Sequence, residues 1–542
     1  MELSHLIQSS QVENVRVCCP LTPPVTGTLC VSSHHLILSA HPVEGTKKEK
    51  CELWLLHCAV DSVEKSVQNM GMLKSKDGEG RSSSGTVTLK CKDLRVIHLE
   101  IPDMEETFNV ARSVQALSSL NDISLSYPFF FRPAGCKLGK GWPRDTMENF
   151  YHKLKNETDA WRLSGVNENF KVCPSYPEKI IVPVSCSDGN LKRAASFRQS
   201  RRFPVLSYYH PMSKTVLLRS AQPLVGPNHH CCEDDEMLLN AALMGQSRGF
   251  IIDIRTEQEA KQARSAGGGT ENKGRYLKWR VLHRPLERGQ ALQSSLTRLV
   301  GTCYQTYQGW NHWLSKLQVS QWLSHIKEAL STAGLAAECL ERQCTCVLVH
   351  GDEGANNTLL VTSLAQLILS PDCRTMVGFQ DLIEREWLQA GHPFQLRCAR
   401  SGWAQGRFQQ ESPYFLLFLD CCWQLTRQFP MAMEFNEKLL CALATHAYSS
   451  EYGTFLCNNE KERHTYKVRE KTHSLWGILN NFRQRNHLVN PVYERNPLAI
   501  WPSVAPQSIQ LWEGFFLRYL VPTEHKEMFW QRTWEIVGKD PY

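Results

Sequence analysis

Residues 347–369 read VLVHGDEGANNTLLVTSLAQLIL: an apolar run, a polar loop and a second apolar run. The segment from Cys346 to Val349 suits a buried strand, and apolar residues recur at helical spacing from Leu360 to Ile368. At a junction of this kind, backbone N–H groups and the positive end of the helix face one point in the loop. The stretch therefore predicts a phosphate-binding loop between a buried strand and a helix.

The loop resembles the signature of the myotubularin phosphoinositide phosphatases, His-Cys-Ser-Asp-Gly-Trp-Asp-Arg-Thr, and aligns with it without gaps. His350, Gly354 and Thr358 match the signature. The position of the nucleophilic cysteine holds Gly351, and the position of the phosphate-binding arginine holds Asn357. The other substituted positions hold Asp352 for serine, Glu353 for aspartate, Ala355 for tryptophan and Asn356 for the aspartate taken as the proton donor.

These substitutions remove the groups on which the chemistry of the family depends. A cysteine thiolate attacks phosphorus in an active loop, whereas Gly351 has no side chain that could attack. The arginine holds phosphate oxygens in a planar fork, which the neutral amide of Asn357 does not reproduce. Because the loss of a covalent nucleophile can cost on the order of a millionfold in turnover, we expect no enzyme activity.

Phosphate binding without turnover is also disfavoured by the loop sequence. Asp352 and Glu353 add two carboxylates where phosphate would lie. A carboxylate about 5 Å from a phosphate charge is repelled by roughly 3 kcal/mol at an effective dielectric constant near 20. The positive end of a helix stabilises a nearby anion by only about 0.3–1 kcal/mol, which does not offset this repulsion. Weak binding of phosphoinositide head groups is therefore expected.

Two further segments carry the resemblance to the substrate pocket. Residues 251–255 have the pattern of a short buried strand and match the family sequence Asp-Ala-Arg-Pro at Asp253 and Arg255. Active members use two arginines to bind a second phosphate of the inositol ring. Arg397 retains one of them, but the other position holds Pro393. The resemblance thus implies a degraded remnant of the pocket.

The N-terminal part of the chain has the pattern of a small antiparallel β domain closed by a helix. Apolar residues from Met104 to Leu117 fall on one helical face. The segment resembles the PH-GRAM domain that opens myotubularins. The strands predicted from short apolar runs between turn-like segments are Gly27–Val31, His35–Leu38, Leu53–Leu56, Thr86–Leu89 and Arg95–Leu99.

The predicted architecture is an α+β PH-GRAM-like barrel with a C-terminal helix, followed by a large α/β domain resembling a cysteine phosphatase. We assign residues 1–125 to the first domain, and 126–160 to a proline- and glycine-containing linker. Residues 161–520 form the inactive phosphatase-like domain. The tail, 521–542, has no sustained apolar heptads, although most family members carry a coiled coil after the corresponding point.

The composition and the net charge disfavour several classes of protein and of binding site. The net charge is +7 with both signs interspersed, so no nucleic-acid partner is expected. The 21 cysteines are scattered and odd in number, which favours reduced thiols in the cytosol, and no secretory signal or membrane-spanning run is evident. The adjacent ligand types from His229 to Cys232 lack a second pair at zinc-site spacing. No metal and no cofactor are therefore expected.

The resemblance implies a pseudophosphatase that acts as a regulatory or adaptor subunit of active myotubularins, which hydrolyse phosphatidylinositol 3-phosphate and the 3,5-bisphosphate. Such a protein would be cytoplasmic and peripherally associated with endomembranes. The alternative is a membrane adaptor that binds phosphoinositides through the PH-GRAM domain without a partner. A residual enzyme is disfavoured, because no side chain in the loop could form the phosphorylated intermediate.

Overall fold

A computed structural model describes residues 3–40, 52–67, 84–134, 137–143, 146–305, 310–403 and 410–520. Its first domain is built on a seven-stranded antiparallel sheet in the order β4-β3-β2-β1-β7-β6-β5. Helix α1, Met104–Ser118, packs on this sheet. The strands are β1 Gln11–Cys18, β2 Val25–Val31, β3 His35–Ala40, β4 Glu52–Leu56, β5 Val60–Val67, β6 Gly85–Cys91 and β7 Val96–Ile101.

The alternation of apolar and polar residues along its strands explains why one face of this sheet packs on the core of the domain. Along β6, every second residue from Gly85 to Cys91 is buried, as a strand with one face on the core requires. The Asp103 side chain accepts a hydrogen bond from the Glu106 N–H and caps α1, which buries Val110 and Val114 against the strands. The predicted PH-GRAM-like β domain closed by a helix is confirmed.

The second domain contains a five-stranded sheet in the order β10-β11-β14-β12-β13. β10 pairs antiparallel with β11, and the other neighbours are parallel. A separate two-stranded ribbon, β8 and β9, precedes it. The strands are β8 Trp161–Ser164, β9 Ile180–Pro183, β10 Val205–His210, β11 Thr215–Ala221, β12 Gly249–Asp253, β13 Trp279–His283 and β14 Cys346–Gly351.

Helices surround this sheet and make up most of the domain. One turn of π-helix, Glu384–Leu388, continues directly from α10. The helices are α2 Thr146–Lys155, α3 Asp188–Ser196, α4 Glu233–Ala242, α5 Glu257–Ser265, α6 Gly289–Cys303, α7 Trp310–Ser320, α8 Trp322–Glu341, α9 Asn357–Leu369, α10 Met376–Ile383, α11 Phe394–Arg397, α12 Tyr414–Gln428, α13 Glu437–Tyr448, α14 Glu460–Tyr466, α15 Val468–Lys471, α16 Leu475–Leu479, α17 Phe482–Leu488 and α18 Glu513–Phe516.

The predicted strand–loop–helix segment lies at the centre of this domain. Every residue of β14 is buried, which explains its continuous apolar sequence between two parallel neighbours. Every residue of α9 is buried as well, and this helix packs against α8 and α12. An all-buried strand and helix fix both ends of the loop that joins them, residues 352–356.

The segment predicted as a linker contains ordered structure. Helix α2 lies within it, and its Leu154 packs in the same apolar cluster as Trp161 and Leu239. Phe131 packs against the main core of the second domain. Met147, Phe150 and Tyr151 pack against the same cluster as Leu154, so α2 does have an apolar face at helical spacing. The linker assignment gave more weight to the prolines and glycines that precede α2. The domain boundaries remain predictions, and the tail at 521–542 lies outside the described residues.

Within the residues that the structure describes, no helix combines the length and the apolar character that a bilayer crossing requires.

The two domains meet at a polar contact made by a buried aspartate. The Asp61 carboxylate accepts hydrogen bonds from the Ser401 N–H at 3.1 Å, the Ser401 hydroxyl at 2.8 Å and the Trp403 N–H at 3.3 Å. Leu94, from the turn between β6 and β7, packs within the main core of the second domain. The β domain is thus attached through side chains that water does not reach.

We expect Asp61→Ala to lower the free energy of unfolding by roughly 1–3 kcal/mol, because buried donors of Ser401 and Trp403 would lose their acceptor. Urea denaturation of the full chain measures this change. The matched control is Asp159→Ala, at an exposed position, for which we expect no change. Equal stability of the two variants would contradict the proposed importance of this contact.

Candidate functional site

The loop between β14 and α9 forms one side of an open cavity of about 290 Å³. The remaining wall comes from the end of β12, the segment before α6, α11 and the start of α12. The lining residues are Ile254, Arg255, Leu286, Arg288, Gly289, Gly351, Asp352, Glu353, Gly354, Ala355, Asn356, Asn357, Thr358, Arg397 and Tyr414. Most of the sequence-predicted site residues therefore come together here.

The position of the family nucleophile is filled from the neighbouring strand. A Cβ atom at Gly351 would lie 2.8 Å from both Cγ1 and Cδ1 of Ile254. The family pattern has alanine at position 254, so the larger isoleucine occupies space next to the missing cysteine. Glycine and isoleucine are complementary in size, and the cavity wall at this point is apolar and carries no nucleophile.

The first loop carboxylate, Asp352, binds two arginines of the cavity. Its Oδ1 lies 3.1 Å from Nη1 of Arg255, and its Oδ2 forms an ion pair with Arg288. Arg255 is in turn held by Asp253, with Nε–Oδ1 and Nη2–Oδ2 distances of 2.8 and 2.9 Å. The positive charge that would attract a phosphate is balanced by the carboxylates of the chain itself.

The second loop carboxylate, Glu353, binds the remaining arginine. Its Oε2 lies 3.2 Å from Nη2 of Arg397, and Asn356 bridges the two by accepting from Arg397 Nε at 3.3 Å and donating to Glu353 at 3.1 Å. Arg397 also donates to the main-chain carbonyl of Gln410 at 2.6 Å. The loop substitutions Asp352, Glu353 and Asn356 thus form a linked set of contacts with the retained arginines.

Asn357, at the position of the family arginine, connects two segments of the cavity wall through a hydrogen bond of its side chain. Its Nδ2 donates to the carbonyl of Glu287 at 2.9 Å, so its amide fastens the start of α9 to the segment before α6. Its Oδ1 is buried and has no hydrogen-bond partner among the described residues. The residue supplies no positive charge to the cavity.

His350 belongs to a buried charge network behind the loop. Its Nε2 lies 3.0 Å from Oε2 of Glu271, and Glu271 also accepts from Arg198 at 2.7 Å. Arg198 continues to Asp235 at 2.6 Å, which binds the Tyr276 hydroxyl at 2.7 Å. Burial raises the pKa of Glu271, but its interactions with His350 and Arg198 outweigh this effect and hold that pKa below its ordinary value.

Arg202 holds the loop through hydrogen bonds to main-chain carbonyls. The sequence did not indicate it as a residue of the site. Its Nη2 donates to the carbonyls of Gly354 at 2.7 Å and Ala390 at 2.9 Å, and its Nη1 donates to Ser175. Arg288 was missed as well. Both residues approach the loop from distant parts of the chain, and a single sequence carries no signal for such pairing.

Pro393 and Asp253 are not among the described residues that line the cavity. Pro393 precedes α11, and its carbonyl accepts the Arg397 N–H at 2.9 Å. Asp253 is fully buried and acts through Arg255. In the described part of the chain, no group of three or more histidine, cysteine, aspartate or glutamate side chains could hold a metal ion.

A family model described as the myotubularin-like phosphatase domain matches residues 126–464. The chain belongs to the myotubularin family. A second model, described as the GRAM domain of MTMR6-9, matches residues 11–118. These matches confirm the resemblance of the chain to the myotubularins, with a GRAM domain followed by a phosphatase-like domain.

Individual myotubularins extend the similarity over nearly the whole chain. Bovine myotubularin-related protein 9-like is 52% identical over 541 residues, which cover 99% of this chain and 96% of the relative. Human myotubularin-related protein 9 is 49% identical over 519 residues, or 96% of this chain and 91% of the relative. The human phosphatidylinositol-3-phosphate phosphatase MTMR7 is 32% identical over 525 residues, or 95% of this chain and 76% of the relative.

Proposed function

We propose that this myotubularin is a pseudophosphatase. The observation that carries the proposal is the replacement of the nucleophile by Gly351, packed against Ile254, together with the pairing of the cavity arginines to Asp352 and Glu353. Attack on phosphorus needs a nucleophile, and substrate binding needs available positive charge. Gly351 supplies no nucleophile at the family position, and the arginines of the cavity are already paired with carboxylates, which supports the proposal.

We further propose that the protein regulates an active myotubularin that hydrolyses phosphatidylinositol 3-phosphate or the 3,5-bisphosphate. A relative 32% identical to this chain carries the name phosphatidylinositol-3-phosphate phosphatase, so a catalytic partner of the same architecture is a reasonable choice. The intact buried network behind the loop supports a retained structural role for the domain. The complex would be cytoplasmic and bound at the periphery of endomembranes.

The test measures hydrolysis of phosphatidylinositol 3-phosphate by human MTMR7 with increasing amounts of this protein, and by this protein alone. We expect a saturable change in the rate of the partner and no turnover by this protein alone. A variant of the partner without activity serves as the blank. An unchanged rate at saturating concentration would overturn the regulatory role for this partner, and turnover by the protein alone would overturn the pseudophosphatase assignment.

Gly351→Cys is expected to give no measurable phosphatase turnover on its own, because Ile254 crowds the new side chain and Asn357 adds no positive charge. Single-turnover hydrolysis of phosphatidylinositol 3-phosphate measures it. The comparison is a variant that also carries Ile254→Ala, Asp352→Ser and Asn357→Arg, for which we expect turnover above that of the single variant. Activity of Gly351→Cys equal to that of the combined variant would contradict this account.

Partner-independent binding of phosphoinositides through the PH-GRAM domain is the second proposal, and the described surface supports it less. Arg16 is paired with Glu100 at 2.9 Å, and Lys90 with Glu64 at 2.5 Å. These pairs reduce the positive charge available to an anionic membrane. Sedimentation of the full chain with vesicles containing phosphatidylinositol 3-phosphate, in the absence of a partner, distinguishes the two proposals.

A further inference from the structure

A second cavity of about 560 Å³ lies between the PH-GRAM domain and the phosphatase-like domain. The PH-GRAM domain contributes His57 and Lys92 to its wall, and the second domain contributes Arg400 and Tyr448. This volume lies within the range of cavities that bind small molecules in proteins. The cavity is separate from the remnant phosphatase pocket, and the inference does not depend on the proposed function.

One charged group in the wall of this cavity has no partner among the described residues. Lys92 is 9% exposed, and its ammonium group forms no hydrogen bond or ion pair with any of them. The Nδ1 atom of His57 and the hydroxyl of Tyr448 also lack a partner there, but both atoms are fully buried and do not face the cavity. Buried charged groups are nearly always paired, so Lys92 indicates a bound species that the protein itself does not supply.

The charges around the cavity favour an anion. Lys92 and Arg400 provide two cations, and Glu411 is the one carboxylate among the described lining residues. Asp61 lies close enough to affect Lys92, but its carboxylate is already used by Ser401 and Trp403. Burial lowers the pKa of Lys92, and Arg400 lowers it further, while Asp61 opposes both. An anionic ligand would relieve that unfavourable burial of the ammonium.

Histidines do not add further positive charge near neutral pH. Burial lowers the pKa of His57 to about 4, and burial also lowers the pKa of His34 and of His446, which line the same cavity. The neutral rings are suited to hydrogen bonding. Lys92 and Arg400 therefore carry the electrostatic attraction.

Another part of the wall is apolar. Leu117 and Leu120 come from the end of α1 and the segment after it, and Phe394 and Leu456 come from the second domain. A ligand in this cavity would contact charged donors on one part of its surface and aliphatic or aromatic carbon on another. Such a wall fits an amphiphile better than a free inorganic ion.

We propose that this interdomain cavity binds a phosphate monoester with an apolar substituent. The phosphate oxygens accept hydrogen bonds from the ammonium of Lys92 and from Arg400, with Lys92 as the main cation, and the apolar substituent packs against the carbon-lined part of the wall. Phosphate suits this set because it offers several acceptor oxygens to donors from two domains. A soluble phosphate ester and a membrane lipid with a terminal phosphate share this chemistry.

Isothermal titration of the full chain with octyl phosphate tests the proposal. We expect saturable binding, weakened by about tenfold or more in Lys92→Met, since a hydrogen bond to a charged group contributes roughly 1.5–3 kcal/mol. Arg400→Gln removes the second cation at a half-buried position of the cavity wall and is expected to weaken binding by severalfold. The control is Lys192→Met, at an exposed position on α3, for which affinity is unchanged.

Absence of octyl phosphate binding, or equal affinities of Lys92→Met and Lys192→Met, would overturn the proposal. If Lys92→Met fails to fold, equal affinities of Arg400→Gln and the unmodified chain would overturn it instead. Inorganic phosphate binding as tightly as octyl phosphate would overturn the assignment of the apolar wall. Lys92-dependent sedimentation with phosphatidylcholine vesicles containing phosphatidic acid identifies a lipid source, and octyl phosphate binding without such sedimentation identifies a soluble one; both support the site.

Discussion

Asp352→Ser is expected to strengthen binding of inorganic phosphate to the remnant phosphatase pocket by about ten- to a hundredfold. Asp352 pairs with Arg255 and Arg288, and its carboxylate stands where a phosphate would lie. Removal of a like charge about 5 Å from a phosphate relieves up to roughly 3 kcal/mol of repulsion, and partial exposure of the site reduces that figure. Serine also restores the residue found in the signature of the family.

Isothermal titration of the full chain with inorganic phosphate measures this change. The matched control is Asp372→Ser, which removes the same charge at an exposed pair with Arg495, away from the pocket. We expect Asp372→Ser to bind phosphate as the unmodified chain does. If both variants bind with equal affinity, the carboxylate of Asp352 does not protect the arginines, and the weakness of the pocket has another origin.

Glu271→Gln is expected to lower the free energy of unfolding by about 3 kcal/mol. Glu271 is buried between His350 and Arg198 and accepts hydrogen bonds from both at 3.0 and 2.7 Å. The substitution leaves Arg198 with Asp235 as its counter-ion, so the loss should stand at the lower end of the range for a broken buried pair. Urea denaturation at neutral pH measures it, with Glu157→Gln at an exposed position as the control.

The same variant has a defined pH dependence. The pKa of Glu271 is lower in the folded chain than in the unfolded one, so its contribution is fully present above the unfolded value of about 4.3. That contribution is lost as the pH falls below this value toward the lower folded one. The stability difference between the unmodified chain and Glu271→Gln should therefore shrink on acidification. A difference that grows below about pH 4 would contradict this sign.

The local pattern of apolar residues was sufficient to predict strand β14 and helix α9 at the centre of the second domain. The apolar run of β14 and the helical spacing of α9 each identify their own structure, because a buried parallel strand is apolar throughout and a buried helix keeps a continuous apolar face. The strands predicted from the sequence did not include β1. Its register shifts between Val12 and Val15, where Asn14 has a φ of +57°, and this irregularity breaks the alternation by which strands are identified.

The residues of the candidate site likewise divide into those that could be assigned from the sequence and those that only the structure brings together. Gly351 and Asn357 could be assigned from the sequence, since the loop aligns with the signature without gaps. The packing of Ile254 against Gly351 and the pairing of Arg288 with Asp352 could not, because the partners come from separate segments and only their side-chain positions bring them together. Arg198 and Arg202 were missed for that reason.

The sequence by itself determined that the loop has no nucleophile and no signature arginine, because the identity of a side chain limits its chemistry wherever the chain folds. It also determined that two carboxylates would stand in the loop. Only the tertiary structure decided what those carboxylates do. Asp352 pairs with Arg255 from 97 residues away, and Glu353 pairs with Arg397 from 44 residues away. Ion pairing depends on distances of a few ångströms, which the packing of β12, β14 and α11 sets and the local sequence does not.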